Sequence, residues 1–136
     1  MQLHSYLFFR GDCAPAFRFY EKCLGGSMEA MLTYGASPVC GDMPADMHDK
    51  VMHACLKVGD AMLMGSDSPP QYQEEPKGFS VSVTVEEPAE ADRVFAALAA
   101  NGTVRMPMEE TFWARRFGML VDQFGIPWMV NCAKPT

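Results

Sequence analysis

The sequence predicts an α+β protein built from two tandem βαβββ modules, whose eight strands form a curved cup. The prediction rests first on the order of apolar segments, which runs strand, helix, strand, strand, strand in residues 1–65 and again in residues 78–134. A linker rich in Ser, Pro and Gln lies between them at residues 66–77. Because a four-stranded sheet with one helix has only one covered face, we expect the two bare faces to enclose a concavity.

The second observation is a repeat of the helix faces. Asp12 can cap the first helix, which Gly25-Gly26 ends, and Glu87-Pro88 starts the second, which Asn101-Gly102 ends. Each helix carries one apolar stripe: Ala16, Phe19, Tyr20 and Cys23 in the first, and Ala91, Val94, Phe95 and Leu98 in the second. One constant offset superimposes the two stripes and also lays Ser5 on Ser80.

The remaining apolar segments are predicted strands. In the first module they cover residues 3–9, 28–34, 51–58 and 61–65, and a Gly59-Asp60 turn joins the last two. In the second module they cover residues 79–85, 104–106, 115–121 and 126–131. Phe124-Gly125 is the turn signal of a hairpin that closes the second sheet.

Length, charge and cysteine pattern restrict the class of protein. A chain of 136 residues with 49% apolar residues suits a single domain. Its formal charge is -6 and no basic run exceeds Arg115-Arg116, which argues against a nucleic-acid partner. Neither a basic leader nor a stretch of about 20 apolar residues is present, so we expect no membrane span. Five scattered Cys without a C-x-x-C pair favour reduced thiols and a cytoplasmic protein.

Several motifs resemble the vicinal oxygen chelate superfamily, which includes glyoxalase I, bleomycin-resistance proteins and extradiol dioxygenases. They are Gly11-Asp12 after a strand, Phe19-Tyr20 and Leu24-Gly25 in the helix, and the doubled βαβββ order. Three segments are similar to its PhnB-like branch, which often carries a demethylubiquinone methyltransferase-like label: VMHACLKVGDAMLMGSD, ETFWARRFG and DQFGIPWMVN. The resemblance implies a glyoxalase-like fold and a homodimer, and it does not imply a reaction.

The resemblance also implies where a metal ion would be held. Metal-dependent members use one residue from the first strand and one from the fourth strand of each module, typically His and Glu. The matching positions here are Ser5 and Met64 in the first module and Ser80 and Met129 in the second. A neutral hydroxyl and a thioether are poor ligands for hard divalent ions. We therefore expect no metal and no cofactor, and a cup whose former ligand positions contact substrate.

Two histidines, His4 and His48, are further candidate metal ligands. His4 is one residue from Ser5, and successive strand residues face opposite ways, so His4 points away from the cup if Ser5 points in. His48 lies in a loop with Asp46 and Asp49, the one local cluster that could take up adventitious metal. We interpret it as a solvated loop histidine.

His53 is the candidate catalytic residue. It lies in a predicted strand with Val51 and Cys55 on the same side, and imidazole is the side chain most readily poised for proton transfer near neutral pH. A buried histidine that bonds to backbone is the alternative, and the pattern leaves both open.

The segment TFWARRFG supplies candidates for the mouth of the cup. Trp113 precedes a predicted strand, where a large ring can contact substrate, and either Arg115 or Arg116 can hold a carboxylate or phosphate. Only one of the adjacent arginines can face inward, and the sequence does not say which. Met62 and Met64 share one face of their strand and suit a wall that accepts varied apolar ligands.

Two functions follow as hypotheses. The first is metal-free binding of a small amphipathic or aromatic molecule by the substrate-binding set Ser5, Met62, Met64, Ser80, Trp113, Arg115 and Met129. The second is a metal-independent enzyme that uses His53 as acid or base. A metal-dependent lyase of the glyoxalase type ranks third, because its ligands are missing. Whether one chain or two builds the cup is open.

Overall fold

A computed structural model of the chain describes residues 1–38 and 40–135, and the order βαβββ occurs twice within them. The first module contains β1 (Ser5–Phe9), α1 (Cys13–Leu24), β2 (Ser27–Thr33), β3 (Val51–Val58) and β4 (Ala61–Asp67). The second contains β5 (Val81–Val85), α2 (Pro88–Ala99), β6 (Thr103–Glu109), β7 (Ala114–Val121) and β8 (Pro127–Ala133). The predicted α+β class with two tandem βαβββ modules is therefore confirmed.

Each module forms its own four-stranded sheet. The strand order is β1-β4-β3-β2 in the first and β5-β8-β7-β6 in the second. In both, the first strand pairs with the last in parallel, and the other pairs are antiparallel. The chain divides into the units Met1–Glu74 and Glu75–Thr136, and the boundary falls in the predicted linker. That linker starts later than predicted, because β4 continues to Asp67.

The helices cover one face of their own sheets through the predicted stripes. Ala16, Tyr20 and Cys23 are buried in α1 as predicted, but Phe19 of the predicted stripe is only half-buried, and Phe17, which the predicted stripe did not include, is buried instead. Gly25 ends the helix in the left-handed conformation with φ of 74°, which glycine adopts without a steric penalty.

A glycine under each helix permits close packing. A Cβ added at Gly65 would lie 2.8 Å from Cε1 of Phe17, and one added at Gly118 would lie 2.7 Å from Cε2 of Phe95. These residues therefore mark the helix side of each sheet. We call the opposite side of each sheet the bare face.

Within residues 1–38 and 40–135, neither α-helix combines the length and the apolarity that a membrane crossing requires.

Candidate functional site

The bare face of the first sheet is aromatic where it passes along β1. Leu7 and Phe9 are buried on the helix side, while Tyr6 is 39% and Phe8 60% exposed on the other. This alternation places Tyr6 and Phe8 together on the bare face. Their rings are in contact, with centroids 5.2 Å apart.

Tyr6 forms a pair with His53 across the sheet. The Tyr6 hydroxyl lies 3.2 Å from Nδ1 of His53, and the two rings stack with centroids 5.8 Å apart at 26°. Because the tyrosine hydroxyl can donate as well as accept, this contact fits either tautomer of a neutral His53. If Nδ1 carries the proton and donates to the tyrosine oxygen, the lone pair of Nε2 is available as a base.

A bulge in β3 separates His53 from Val51. Leu32 pairs with His53 and Thr33 with Val51, so Met52 is an extra residue on β3. Val51 is buried and its N–H donates to Oδ2 of Asp67 at 2.9 Å. The interpretation that Val51 and His53 share a side is wrong, because the bulge shifts the alternation by one residue.

Sulfur atoms occupy the middle of the same bare face. Met64 is in register with Tyr6 on one side and with Cys55 on the other. The Cys55 thiol lies 3.5 Å from the thioether sulfur of Met62. Met62 and Met64 thus share the face of the Tyr6–His53 pair, and they give it a polarizable, apolar floor.

The structure corrects the placement of Ser5. Ser5 is in register with the buried Leu63 and alternates with Leu7 on the helix side, so it does not share the bare face with Met64. The residue in register with Met64 is Tyr6. By the same alternation His4, which precedes β1, falls on the side of Tyr6; its Nε2 lies 3.3 Å from Oε1 of Gln2.

The bare face of the second sheet is organised around β8. Met129 is in register with Ser82 on β5 and with Met119 on β7. Ser80 directly precedes β5, and alternation places it on the same side as Ser82. A hydroxyl-bearing strand therefore flanks a methionine pair.

Trp113 extends this face at the start of β7. Its ring meets Phe112 edge-on at 4.8 Å between centroids and Phe117 at 5.3 Å. Trp113 is 48% exposed although it has two aromatic neighbours. The ring is thus held from two sides and still open to a ligand.

The two adjacent arginines take different sides. Arg116 forms an ion pair with Asp92 of α2 at 2.9 Å and is in register with the buried Cys132, so it lies on the helix side. Arg115 donates to the backbone oxygens of Ala133 and Glu86. Within the described residues Arg115 forms no ion pair, so its charge is not neutralised by a carboxylate.

A buried aspartate that the sequence reading missed closes one end of the first sheet. Asp67 is 1% exposed, and its Oδ1 accepts the N–H groups of Gly11 at 2.9 Å and Cys13 at 3.0 Å. Together with the hydrogen bond from the Val51 N–H, the Asp67 carboxylate joins the β1–α1 turn, α1 and β3.

Burial raises the pKa of the Cys13 thiol far above its ordinary range, and the Asp67 carboxylate raises it further. The same two causes raise the pKa of Tyr34.

The second module has a comparable aspartate in its closing hairpin. Oδ1 of Asp122 accepts the N–H groups of Phe124 at 2.8 Å and Ile126 at 3.0 Å, and Oδ2 accepts the indole N–H of Trp128 at 2.9 Å. The Asp122 carboxylate thereby fixes the turn that the pair Phe124-Gly125 predicted.

His48 has a structural environment. Its Nε2 lies 2.8 Å from the carbonyl oxygen of Cys40 and 3.2 Å from that of Met43, so the imidazole donates to the loop backbone. The neighbouring Asp46 and Asp49 are exposed. The description of His48 as a solvated residue is therefore wrong, because it closes the 40–48 loop.

The donor set does not fit the divalent ion of the metal-dependent proteins to which the sequence bears a resemblance. The positions on the last strand of each sheet carry the thioethers Met64 and Met129, and the residues in register with them on the first strand are Tyr6 and Ser82. Hard divalent ions prefer oxygen ligands such as carboxylates, and borderline ions such as Zn²⁺ and Ni²⁺ also take imidazole. Within residues 1–38 and 40–135, no three His, Cys, Asp or Glu side chains are grouped so as to hold a metal.

The fold and these faces define the class of protein. The sequence model of the Glyoxalase/Bleomycin resistance protein/Dioxygenase superfamily matches residues 2–130, so the chain belongs to this superfamily.

Its relatives place it in the PhnB-like branch. Protein YjdN of Escherichia coli (strain K12) is 33% identical over 98% of this chain and 97% of its own. The crystal structure of protein PA1353 from Pseudomonas aeruginosa is 51% identical, with a TM-score of 0.91 over 99% of both chains. A putative 3-demethylubiquinone-9 3-methyltransferase, the PhnB protein from Bacillus cereus, is 25% identical, with a TM-score of 0.78 over 98% of this chain and 100% of that one.

Proposed function

We propose that the protein binds a small amphipathic molecule with an aromatic part on the bare sheet faces, without a metal ion. One observation carries the proposal: large apolar side chains are exposed where an antiparallel sheet usually presents polar ones to water. Phe8 is 60% exposed on the first sheet and Trp113 is 48% exposed on the second, and each of the two bare faces also carries methionines. A planar apolar ligand would cover the aromatic and thioether side chains of one such face.

The second module also carries polar groups that a ligand on its own bare face can contact. Two backbone carbonyls hold the Arg115 guanidinium in place, and the N–H groups that remain can bind a carboxylate or phosphate in a fork. Ser80 adds a hydroxyl on the side of Met129. This distribution supports a ligand with an apolar body and a polar or anionic end.

Replacing Phe8 with Ser is expected to weaken binding of a bicyclic aromatic about tenfold or more, since burial of such a side chain contributes about 1.5–3 kcal/mol. Calorimetric titration of the wild-type and variant proteins with indole, naphthalene and quinoline measures the effect. Because Phe8 is already exposed, we expect the melting temperature of the variant to stay within a few degrees of wild type.

Tyr72→Ser is the matched control. Tyr72 is 70% exposed, but it lies in the short 3-10 helix Pro70–Tyr72 rather than on a sheet. Its loss should leave affinity unchanged. The proposal is wrong if wild type shows no saturable binding in the panel, or if the two variants weaken binding equally. Stoichiometric retention of zinc, nickel, manganese or iron(II) on a bare face would contradict the metal-free part.

The Tyr6–His53 pair favours a second candidate, an enzyme that abstracts a proton next to a carbonyl. Tyr6 can hold the tautomer in which Nε2 of His53 is the base, and the aromatic and thioether neighbours can bind an apolar carbonyl compound. Here His53 accepts the proton, and Tyr6 is a positioning residue.

Exchange of the α-protons of 2-tetralone in deuterated buffer tests the second candidate. A positioned base accelerates such a step by about 10²–10⁴. His53→Gln should remove the acceleration without lowering the melting temperature, and Tyr6→Phe should reduce it in part. If wild type exchanges the protons no faster than free imidazole, or if His53→Gln retains the rate, this candidate fails. A collapse in stability of His53→Gln would show a structural role instead.

A further inference from the structure

Three sulfur-bearing side chains share the middle of the first bare face. Cys55 on β3 and Met64 on β4 are opposite each other in an antiparallel pair, and Met62 lies two residues before Met64, on the same side of β4. All three residues are half-buried, so a small solute can reach them. We call Cys55, Met62 and Met64 the sulfur cluster.

The spacing within the sulfur cluster suits two ligands of one metal ion. Metal–sulfur bonds are about 2.3 Å long, so two sulfurs on one ion at angles of about 110–120° lie about 3.8–4.0 Å apart. The Cys55 thiol lies 3.5 Å from the thioether sulfur of Met62, so an ion can join them with little movement. Residues directly opposite in an antiparallel pair have Cβ atoms about 4.5–5.5 Å apart. The long, flexible side chain of Met64 can therefore bring a third sulfur to the same ion.

The donors of the sulfur cluster select a soft, monovalent ion. Thiolate and thioether sulfurs suit Cu(I), whereas Mg²⁺ and Ca²⁺ take oxygen ligands. Zinc accepts thiolates, but its protein sites combine them with imidazole or carboxylate rather than with thioethers. One thiolate and two neutral thioethers carry a single negative charge, which Cu(I) neutralises. A neutral complex costs less to hold among apolar side chains than a charged one does.

The second sheet lacks the thiolate that such a site requires. Met119 and Met129 are in register on its bare face. Cys132, the only cysteine of the second module, is buried and in register with Arg116 on the helix side. The two sheets thus compare a pair of thioethers with and without a neighbouring thiol.

We propose that the sulfur cluster is a binding site for one Cu(I) ion, held by the thiolate of Cys55 and the thioethers of Met62 and Met64. Binding releases the thiol proton to solvent, and copper stays in the +1 state, so the step needs no electron donor or acceptor. The inference goes beyond the proposed function, because the binding of an aromatic ligand requires no ion.

Anaerobic titration of the intact protein with Cu(I), in competition with the colorimetric chelator bicinchoninate, tests the proposal. We expect wild type to withdraw one equivalent of Cu(I) from the chelator. X-ray absorption at the copper edge should show only sulfur neighbours, at about 2.3 Å.

Replacing Cys55 with Ser should lower the Cu(I) affinity more than about 100-fold, since the loss of an outer-shell partner alone costs about 10–100-fold. Met62→Leu and Met64→Leu each remove one neutral donor and should lower the affinity by about tenfold. Because Cys55 is only half-buried, the copper-free Cys55→Ser protein should melt within a few degrees of wild type. Cys55→Ala takes its place if the serine variant does not fold.

Cys40→Ser and Met119→Leu are the matched controls. Cys40 carries the other half-buried thiol of the chain, but it lies in the short 3-10 helix Cys40–Asp42 rather than on a sheet. Met119 is a half-buried thioether on the second sheet. Both variants should bind Cu(I) as tightly as wild type.

The outcomes separate this inference from the proposed function. It is overturned if wild type takes no Cu(I) from the chelator, if Cys55→Ser binds as tightly as wild type, or if the copper has nitrogen or oxygen neighbours. Equal losses in Met64→Leu and Met119→Leu would overturn it as well. The contact between Cys55 and Met62 would then be a thiol hydrogen bond and nothing more. Titration with indole, naphthalene and quinoline in the absence of copper tests the proposed function by itself, so either can fail while the other stands.

Discussion

Asp67→Asn is expected to lower the free energy of unfolding by about 3 kcal/mol, since hydrogen bonds to a charged group contribute about 1.5–3 kcal/mol each. The carboxylate accepts N–H groups from Gly11, Cys13 and Val51. An amide has only one oxygen, so its NH₂ group would face the N–H of Val51 and leave that buried donor unsatisfied. Urea unfolding of both proteins at neutral pH measures the difference.

Asp60→Asn is the control for this change. Asp60 lies in the exposed turn between β3 and β4, so its substitution should alter stability by less than about 0.5 kcal/mol. Asp122→Asn should resemble Asp67→Asn, because Asp122 also serves three donors. An Asp67→Asn protein as stable as Asp60→Asn would show that the carboxylate does not join the three segments in solution.

The elements of this fold could be predicted because each leaves a periodic pattern. The stripe of α2, Ala91, Val94, Phe95 and Leu98, is buried as predicted, and the strand of residues 51–58 has the predicted bounds. These patterns express local physics: the helix repeat and the strand alternation. Homodimer formation and the cytoplasmic location have no comparable local signature, and they stay predictions.

The predicted placement of Ser5 was wrong because it used the same sequence offset between the two modules for the first strand as for the helix. Three residues, Arg10, Gly11 and Asp12, separate β1 from α1, whereas two residues, Glu86 and Glu87, separate β5 from α2. The helices therefore correspond at one offset and the strands at an offset one residue longer. A shift of one residue moves a strand side chain to the opposite face. Gly11, with φ of 110°, accommodates the additional residue in the first turn.

The roles of the buried aspartates, and the different sides that Arg115 and Arg116 take, could not be predicted because they depend on contacts between distant segments. Asp67 ends a strand and precedes Ser68-Pro69-Pro70, so alone it has the appearance of a turn residue. Its partners lie up to 56 positions away. Arg115 and Arg116 could be told apart only once Asp92 of α2 was known to approach Arg116. Sequence periodicity carries no information on such pairings, which follow from the register of the sheets and the position of the helices.

Stability should fall in alkaline solution because of Cys13. Its pKa is raised in the folded state by burial and by the Asp67 carboxylate. Below the ordinary thiol pKa of about 8.5 both states hold the proton, and the full stability is present. Above it the unfolded chain releases the proton and the folded protein keeps it, so stability falls by about 1.4 kcal/mol per pH unit. The raised pKa of Tyr34 has the same sign and adds to the fall above about pH 10.

Between pH 8 and pH 10.5, Cys13 should therefore lower the free energy of unfolding of wild type by about 2.5 kcal/mol, and Tyr34 adds a smaller decrease; urea unfolding at the two pH values measures the sum. In Cys13→Ala the difference should shrink to the contribution of Tyr34, whatever the cost of the substitution at pH 8, because the titrating group is gone. Cys55→Ala, which removes a thiol from the opposite side of the same sheet, should retain the wild-type difference. Equal pH dependence in wild type and Cys13→Ala would mean that Cys13 is not protected from ionisation, and that the end of the sheet tied together by Asp67 is open to water.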